Sequence, residues 1–322
     1  MTFAMQVSEV GGPEVLRPAE IELGDTGPGR ARVAVAAAGV NFVDIYRRTG
    51  VYPAELPTVL GAEGSGVVTA VGDGVDTVRV GYRVAWCDVP GSYAAEVDAP
   101  ADRLVPVPAG VDMEHAAALP LQGLTAHYLA SDSYRIRPGD TVLVHAGAGG
   151  VGLLLTQIAV LRGATVLTTV STEDKAELSR AAGAAHVLVG YQDFPRWVRE
   201  LTGGRGVQAV YDGVGRDTFD GSLDALAVRG FLVLFGGASG QVPPFDPQRL
   251  SSGGSLSLTR PTLGHFVHGR DELVRRSTEL FDWLGAGRLD VRIGGTYPLA
   301  DAGRAHEDLA GRRTTGKLLL LP

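Results

Sequence analysis

From residue 141 onward, short apolar runs alternate with amphipathic stretches. TVLVHAG (141–147), TVLTTV (165–170), HVLVG (186–190), QAVYDGVG (208–215), FLVLFGG (231–237) and SLSLTRP (255–261) read as strands. GVGLLLTQIAVLRG (150–163), STEDKAELSRAAG (171–183), FPRWVRELTGG (194–204) and TFDGSLDALAVRG (218–230) read as helices between them. Apolar strands in strict alternation with helices predict a parallel six-stranded sheet covered on both faces. The first 125 or so residues are patterned differently. ARVAVAAAGV (31–40), GSGVVTAVG (64–72) and YRVAW (82–86) are short strand-like runs split by Gly, Pro and Asp, which predicts a β-rich lobe. A tail begins near residue 262 with one long amphipathic helix over 269–287. Leu273, Leu280, Phe281 and Leu284 recur there at helical spacing, and short strands ending in KLLLLP follow. This tail is expected to fold back onto the first lobe.

The first strand of the alternating region runs into HAGAGGVG, where Gly147, Gly149 and Gly152 have G-x-G-x-x-G spacing directly before a helix. The first glycine makes the tight turn, the second lets backbone approach a pyrophosphate, and the third allows close helix–strand packing. The helix N-terminus adds N–H donors and partial positive charge. Gly150 and Val151 belong to the same loop. Six strands with this fingerprint after the first predict a Rossmann, doubly wound dinucleotide-binding domain. An NAD enzyme places an acid at the end of the second strand, but here Val170 is followed by Ser171, with Lys175 one turn later to meet a 2′-phosphate. Glu173 and Asp174 lie at the distance an NAD acid would, although carboxylates favour the first turn of any helix. The balance favours NADPH over NADH.

Composition narrows the class. A length of 322 residues is ample for two domains, and a net charge of −7 offers no basic field for nucleic acid or an anionic membrane. A single cysteine, Cys87, permits neither an intrachain disulfide nor a thiolate-rich metal site. No apolar run reaches membrane-spanning length, and the N-terminus lacks the features of a signal peptide, so a cytoplasmic location is expected.

The strings GGPEVL (11–16), GVNFVDIYRRTGVYP (39–53), AGAGGVG (146–152), VYDGVGRDTFDGSL (210–223), LTRPTL (258–263) and TTGKLLLLP (314–322) resemble the zinc-independent medium-chain dehydrogenases/reductases of the NADPH:quinone oxidoreductase and zeta-crystallin type. The resemblance implies a GroES-like catalytic domain (1–125, completed by 262–322), a Rossmann NADPH-binding domain (126–261) and a homodimer. It also implies that Asn41, Tyr46 and Tyr52 line the nicotinamide and substrate cleft, with Thr125 and Tyr128 beside the cofactor. Ser171 and Lys175 fall on the positions that meet the adenosine phosphate. Gly213, Phe235, Gly236, Gly237 and Ser239 match loops on the nicotinamide side, and Thr259, Arg260 and Arg312 match further cofactor-side positions. The family's tyrosine after the third strand is replaced by Gly190, with Tyr191 one place late. Gln122 stands where a lysine is frequent.

Zinc-dependent relatives carry G-H-E-x-x-G where this chain has GAEGSG (61–66), so Ala62 replaces the ligand histidine and Glu63 is left without that partner. No metal is expected. Without a Lewis acid a simple ketone is a difficult hydride acceptor, whereas quinones and conjugated enones spread the developing charge. Asn41, Tyr46 and Tyr52 supply the donor types such an acceptor needs. The expected activity is therefore NADPH-dependent reduction of a quinone or other conjugated carbonyl. The alternatives are a 2-alkenal or enoyl-thioester reductase, and a non-catalytic, crystallin-like NADPH-binding protein.

Overall fold

The computed structural model describes residues 1–322 and divides into two compact units. Met1–Leu124 and Val267–Pro322 form unit 1, and Thr125–Phe266 forms unit 2.

Unit 2 is built on a six-stranded, wholly parallel sheet. Across the sheet the strands lie in the order His186–Val189, Thr165–Val170, Thr141–His145, Val207–Asp212, Leu226–Leu234 and Ser257–Thr259. In chain order this is 3-2-1-4-5-6, the doubly wound arrangement. Val142, Leu143 and Val144 are fully buried, as expected of a strand with helices over both faces. The helix Gly150–Leu161 buries Leu153, Leu154, Leu155, Ile158 and Ala159. Strand order reverses between Thr141–His145 and Val207–Asp212, so the switch-point crevice opens at the carboxyl ends of those two strands, His145 and Asp212.

One expected helix is corrected. The run 218–230 is helical only over Phe219–Asp224, and Leu226 already begins a strand that continues to Leu234. Leu226 pairs with Val207, and the register slips before Phe231 pairs with Ala209. Arg229 takes a positive φ of 63° and Val228 is 75% exposed, so this apolar-looking stretch is an irregular strand entry without a buried helical face.

Unit 1 carries a seven-stranded sheet and a three-stranded sheet. The long strand Arg30–Val40 alternates buried and half-buried residues over most of its length. It pairs with Glu63–Val71 and with Glu96–Pro100. The tail completes this sheet: Lys317–Leu321 pairs antiparallel with Arg30–Val40, with Leu318 opposite Val40 and Leu319 opposite Gly39. That register sets Lys317 beside Asn41 although 276 positions separate them in sequence. Trp86, Tyr93, Met5 and Leu60 fill the core beneath. The tail helix Arg270–Gly285 buries Leu273, Leu280 and Phe281, the apolar face that its spacing predicts.

Candidate active site

The glycine loop follows strand Thr141–His145 and opens helix Gly150–Leu161. A Cβ on Gly147 would sit 2.7 Å from Thr168, and one on Gly152 would sit 2.3 Å from the Ala146 carbonyl. These two positions tolerate no side chain, for reasons internal to the fold. Gly149 is different: a Cβ there meets only the Ala146 carbonyl, at 3.2 Å, and is otherwise in open space. Its missing side chain leaves backbone exposed for a ligand. The helix that follows has no side-chain N-cap. Its first N–H groups face that space, a donor set suited to a pyrophosphate.

At the end of the second strand, Lys175 Nζ reaches Ser171 Oγ at 3.3 Å. The helix beginning at Glu173 is capped by Thr172, whose hydroxyl accepts the Lys175 N–H. Ser171 and Lys175 thus share one exposed corner where a 2′-phosphate can be met by a hydroxyl, an ammonium and a helix N-terminus. Gly190 closes the third strand with φ +94°, and its N–H donates to the Val170 carbonyl. Tyr191 follows, half-buried, with its ring 6.0 Å from that of His145.

The loops after the fourth and fifth strands close on each other. A Cβ on Gly213 would strike the Phe235 ring at 2.8 Å, and one on Gly236 would strike the Gly213 carbonyl at 2.5 Å. The Ser239 hydroxyl donates to the Val214 carbonyl and accepts the Asp217 N–H. Gly213, Phe235, Gly236, Gly237 and Ser239 are therefore brought together. Beneath them runs a buried chain of hydrogen bonds with one consistent direction. Thr169 donates to His145 Nδ1 (2.8 Å), His145 Nε2–H donates to Ser222 (3.0 Å), and Ser222 donates to Asp212 (2.8 Å). Asp212 also accepts the N–H groups of Val214 and Gly215 and the hydroxyl of Thr218. Burial pushes the His145 pKa down against the opposing pull of Asp212, so the ring is a neutral strut. This network ties together the strand ends at the switch point.

The remaining cofactor-side candidates of unit 2 are more scattered. Thr125 is buried, Thr259 ends the sixth strand half-buried, and Arg260 follows it exposed. Tyr128 is 2% exposed and stacks on Phe266 with ring centroids 4.2 Å apart, so its ring is core. Burial drives its phenol pKa upward.

In unit 1, Asn41, Tyr46 and Tyr52 converge on the short helix Phe42–Arg48. Tyr46 lies on that helix, and the Tyr52 N–H donates to the Tyr46 carbonyl at 3.0 Å. The two rings meet edge to face at 5.3 Å. Gly50 makes the reversal between them at φ +76°, a conformation that favours glycine. Tyr52 is 37% exposed, whereas Asn41 is only 5% exposed. The Asn41 amide is committed inward. Nδ2 donates to Glu63 Oε2 (2.7 Å) and to the Gly39 carbonyl (3.3 Å), and Oδ1 accepts from Lys317 Nζ (2.8 Å). Arg312 sits after the helix Ala302–Ala310 with a positive φ of 56°.

Sequence reasoning missed Lys317, which forms a buried ion pair with Glu63. It also missed a second buried network. The Asn41 N–H and the Tyr93 hydroxyl donate to Asp44 Oδ2. His306 Nε2 lies 3.0 Å from Tyr93, and Arg48 donates to His306 Nδ1. Burial raises the Asp44 pKa to about 6 and lowers that of His306 to about 3. The residues do not fit a zinc ion. Ala62 offers no ligand, the Glu63 carboxylate is taken by Lys317, burial drives the Cys87 thiol pKa upward, and no three His, Cys, Asp or Glu side chains come together.

Residues 27–109 match the alcohol dehydrogenase GroES-like domain, and residues 150–280 match the zinc-binding dehydrogenase family. A Pseudomonas aeruginosa quinone oxidoreductase is 44% identical, with all of both chains covered. A 2-haloacrylate reductase from a Burkholderia species is 43% identical over all of this chain and 99% of its own. A mycobacterial protein solved as a complex with NADPH superposes with a TM-score of 0.97 at 53% identity, again over all of both chains. The chain belongs to the quinone oxidoreductase family of the medium-chain dehydrogenases/reductases.

Proposed function

We propose that the protein reduces quinones with NADPH. What carries the reading is the Tyr46–Tyr52 pair, half-buried Tyr46 backing exposed Tyr52, set by a short anchored helix in a chain related along its whole length to quinone oxidoreductases. Two aromatic rings meeting edge to face offer a planar acceptor a surface to stack on and hydroxyls to bond to. When bound, NADPH supplies a hydride. The backbone N–H groups of Gly150, Val151 and Gly152 would hold its pyrophosphate, with Gly149, whose own N–H is taken by the Ala146 carbonyl, letting it approach. Ser171 and Lys175 would hold its 2′-phosphate, with Tyr191 nearby. The loops of Gly213, Phe235, Gly236, Gly237 and Ser239 would face its nicotinamide half. Thr125, Tyr128, Thr259, Arg260 and Arg312 complete the cofactor-side set, Tyr128 through packing. Tyr52 would donate a hydrogen bond to the acceptor oxygen as negative charge develops there. Asn41 acts from beneath, with its amide turned to Glu63 and Lys317.

A second acceptor class, activated double bonds, is favoured by the relative named 2-haloacrylate reductase. Stacking and one hydrogen-bond donor suit both classes. The homodimer that the family resemblance implies could pair through an edge strand of the unit 2 sheet such as Ser257–Thr259. No helix is long and apolar enough to cross a membrane, and a single buried thiol suits the reducing cytoplasm.

An acceptor panel with NADPH and NADH, followed by loss of nicotinamide absorbance, tests the reading. Quinones and conjugated carbonyls should be reduced, with NADPH preferred, while simple ketones stay untouched. No turnover with any acceptor sinks the enzymatic reading and leaves the crystallin-like alternative. Light scattering at twice 33.6 kDa is expected for the dimer.

A further inference from the structure

The Lys317–Glu63 ion pair belongs neither to the glycine loop nor to the Tyr46–Tyr52 pair, and both side chains are completely buried. Buried charges persist only where their hydrogen bonds are satisfied, so such a pair acts on whatever it is bonded to. Here that is Asn41. With Lys317 on its oxygen and Glu63 on its nitrogen, the amide cannot be turned over without facing a donor to an ammonium and an acceptor to a carboxylate. The other oxygen of Glu63 accepts the Leu121 N–H at 3.1 Å, in the first turn of the helix Pro120–Tyr128.

Two observations single out Lys317. Among 29 basic residues only Lys175 and Lys317 are lysines; the rest are arginines. A Cβ on Gly39 would lie 2.6 Å from both Lys317 Cε and Glu63 Oε2. The Lys317 stem and the Glu63 carboxylate therefore pack directly against the Gly39 backbone, where a compact ammonium meets both Asn41 and Glu63. Asn41 in turn precedes a helix of only seven residues, too short to hold its own conformation. The Asn41 N–H donates to Asp44 in that helix, Tyr46 rides on it, and Tyr52 is hydrogen-bonded back to it.

We infer that Lys317 and Glu63 are a positioning pair that orients Asn41 and, through it, the helix presenting Tyr46 and Tyr52 to the acceptor. The kinetic consequence rests on the proposed quinone reductase activity; the structural consequence does not. The test compares wild type with the double variant Lys317→Met/Glu63→Gln, which removes both charges and leaves no lone one. Gly39→Ala is the second variant, forcing the pair apart without changing charge.

Well below the melting midpoint, NADPH dissociation constants should stay within about twofold of wild type while kcat/KM for a quinone falls about 10–50-fold. Amide hydrogen exchange over residues 42–52 should accelerate by about tenfold or more, with exchange in strand Thr141–His145 unchanged. If the variants only lower the melting temperature, keeping kcat, KM and the exchange of 42–52, the pair is structural ballast and the inference is overturned. If Gly39→Ala fails to fold, the double variant decides. A wild-type protein without turnover sinks the reductase reading instead, and the exchange experiment still decides the positioning role.

Discussion

The two units each bury a polar network under their candidate site residues and build it differently. In unit 2, Asp212 draws its donors from Val214, Gly215, Thr218 and Ser222, all within ten residues along the chain. His145 joins that cluster as a neutral ring. In unit 1, Glu63 is paired with a lysine 254 positions away, contributed by the last strand. The unit 2 network holds one charge and many local donors, so any one of them can be lost. The unit 1 network holds two full charges with no substitute for either. Loss of one partner in unit 1 should therefore be far more damaging than loss of one hydroxyl in unit 2.

Lys317→Met is the sharpest way to break that contrast. It strands the Glu63 carboxylate in the core and is expected to lower unfolding stability by about 3–5 kcal/mol. Ser222→Ala leaves Asp212 three other donors and orphans one imidazole N–H, so it should cost about 2 kcal/mol or less. Urea titrations of both variants give the comparison directly. Equal losses would show that the ion pair is no more critical than a local hydrogen bond.

The same contrast explains what could be read from sequence. In unit 2 the information is local: apolar strands, a glycine loop and helix starts lie where the chain itself puts them, and the six strands formed where the pattern placed them. The exception, Leu226–Gly230, looked helical because Leu226 and Val228 are apolar, but only the pairing of Leu226 with Val207 makes it a strand. In unit 1 the decisive contacts follow from the register of Lys317–Leu321 against Arg30–Val40, which no local pattern encodes. Asn41 could be named as a candidate from its motif, yet its inward hydrogen bonds to Glu63 and Lys317 could not. A signal for Lys317 did exist in the rarity of lysine. The helices Met113–Ala118 and Pro120–Tyr128 were also missed: an Ala run split by Pro120 gives little amphipathic contrast.

Two substitutions then ask whether the exposed groups divide their work between the units as proposed. Tyr52→Phe in unit 1 should lower the quinone rate by about 10–100-fold and leave NADPH affinity unchanged, because the lost hydroxyl acts on charge developing at the acceptor. A wild-type rate would reduce Tyr52 to packing. Lys175→Ala in unit 2 should do the converse, weakening NADPH by about 1–3 kcal/mol and NADH hardly at all. Fluorescence titration with both nucleotides measures this, and equal weakening would place Lys175 away from the 2′-phosphate.

The smallest expected effect concerns pH and comes from opposed shifts in unit 1. His306 is held neutral by burial, with the Arg48 charge adding to the effect, and its pKa falls from 6.5 to about 3. An unfolded chain therefore binds a proton there that the folded one refuses, and stability is lost as pH falls from 6.5 toward 3. Asp44 moves the other way. Burial raises its pKa from 3.8 to about 6, while hydrogen bonds from Tyr93 and Asn41 and the charges of Arg47 and Lys317 oppose the rise. The folded chain takes up that proton first, so stability is gained as pH falls from about 6 toward 3.8. Between pH 7 and 5 the two largely cancel, leaving a net loss of about half a kcal/mol. Below about pH 4 the Asp44 gain is complete while the His306 loss continues, and the curve steepens. His306→Gln should remove the loss and leave stability rising, relative to wild type, from pH 6.5 to 4. Asp44→Asn should remove the gain and make the same interval steeper than wild type. Denaturant midpoints of the three proteins across this range decide it: if both variants run parallel to wild type, neither group titrates differently on folding.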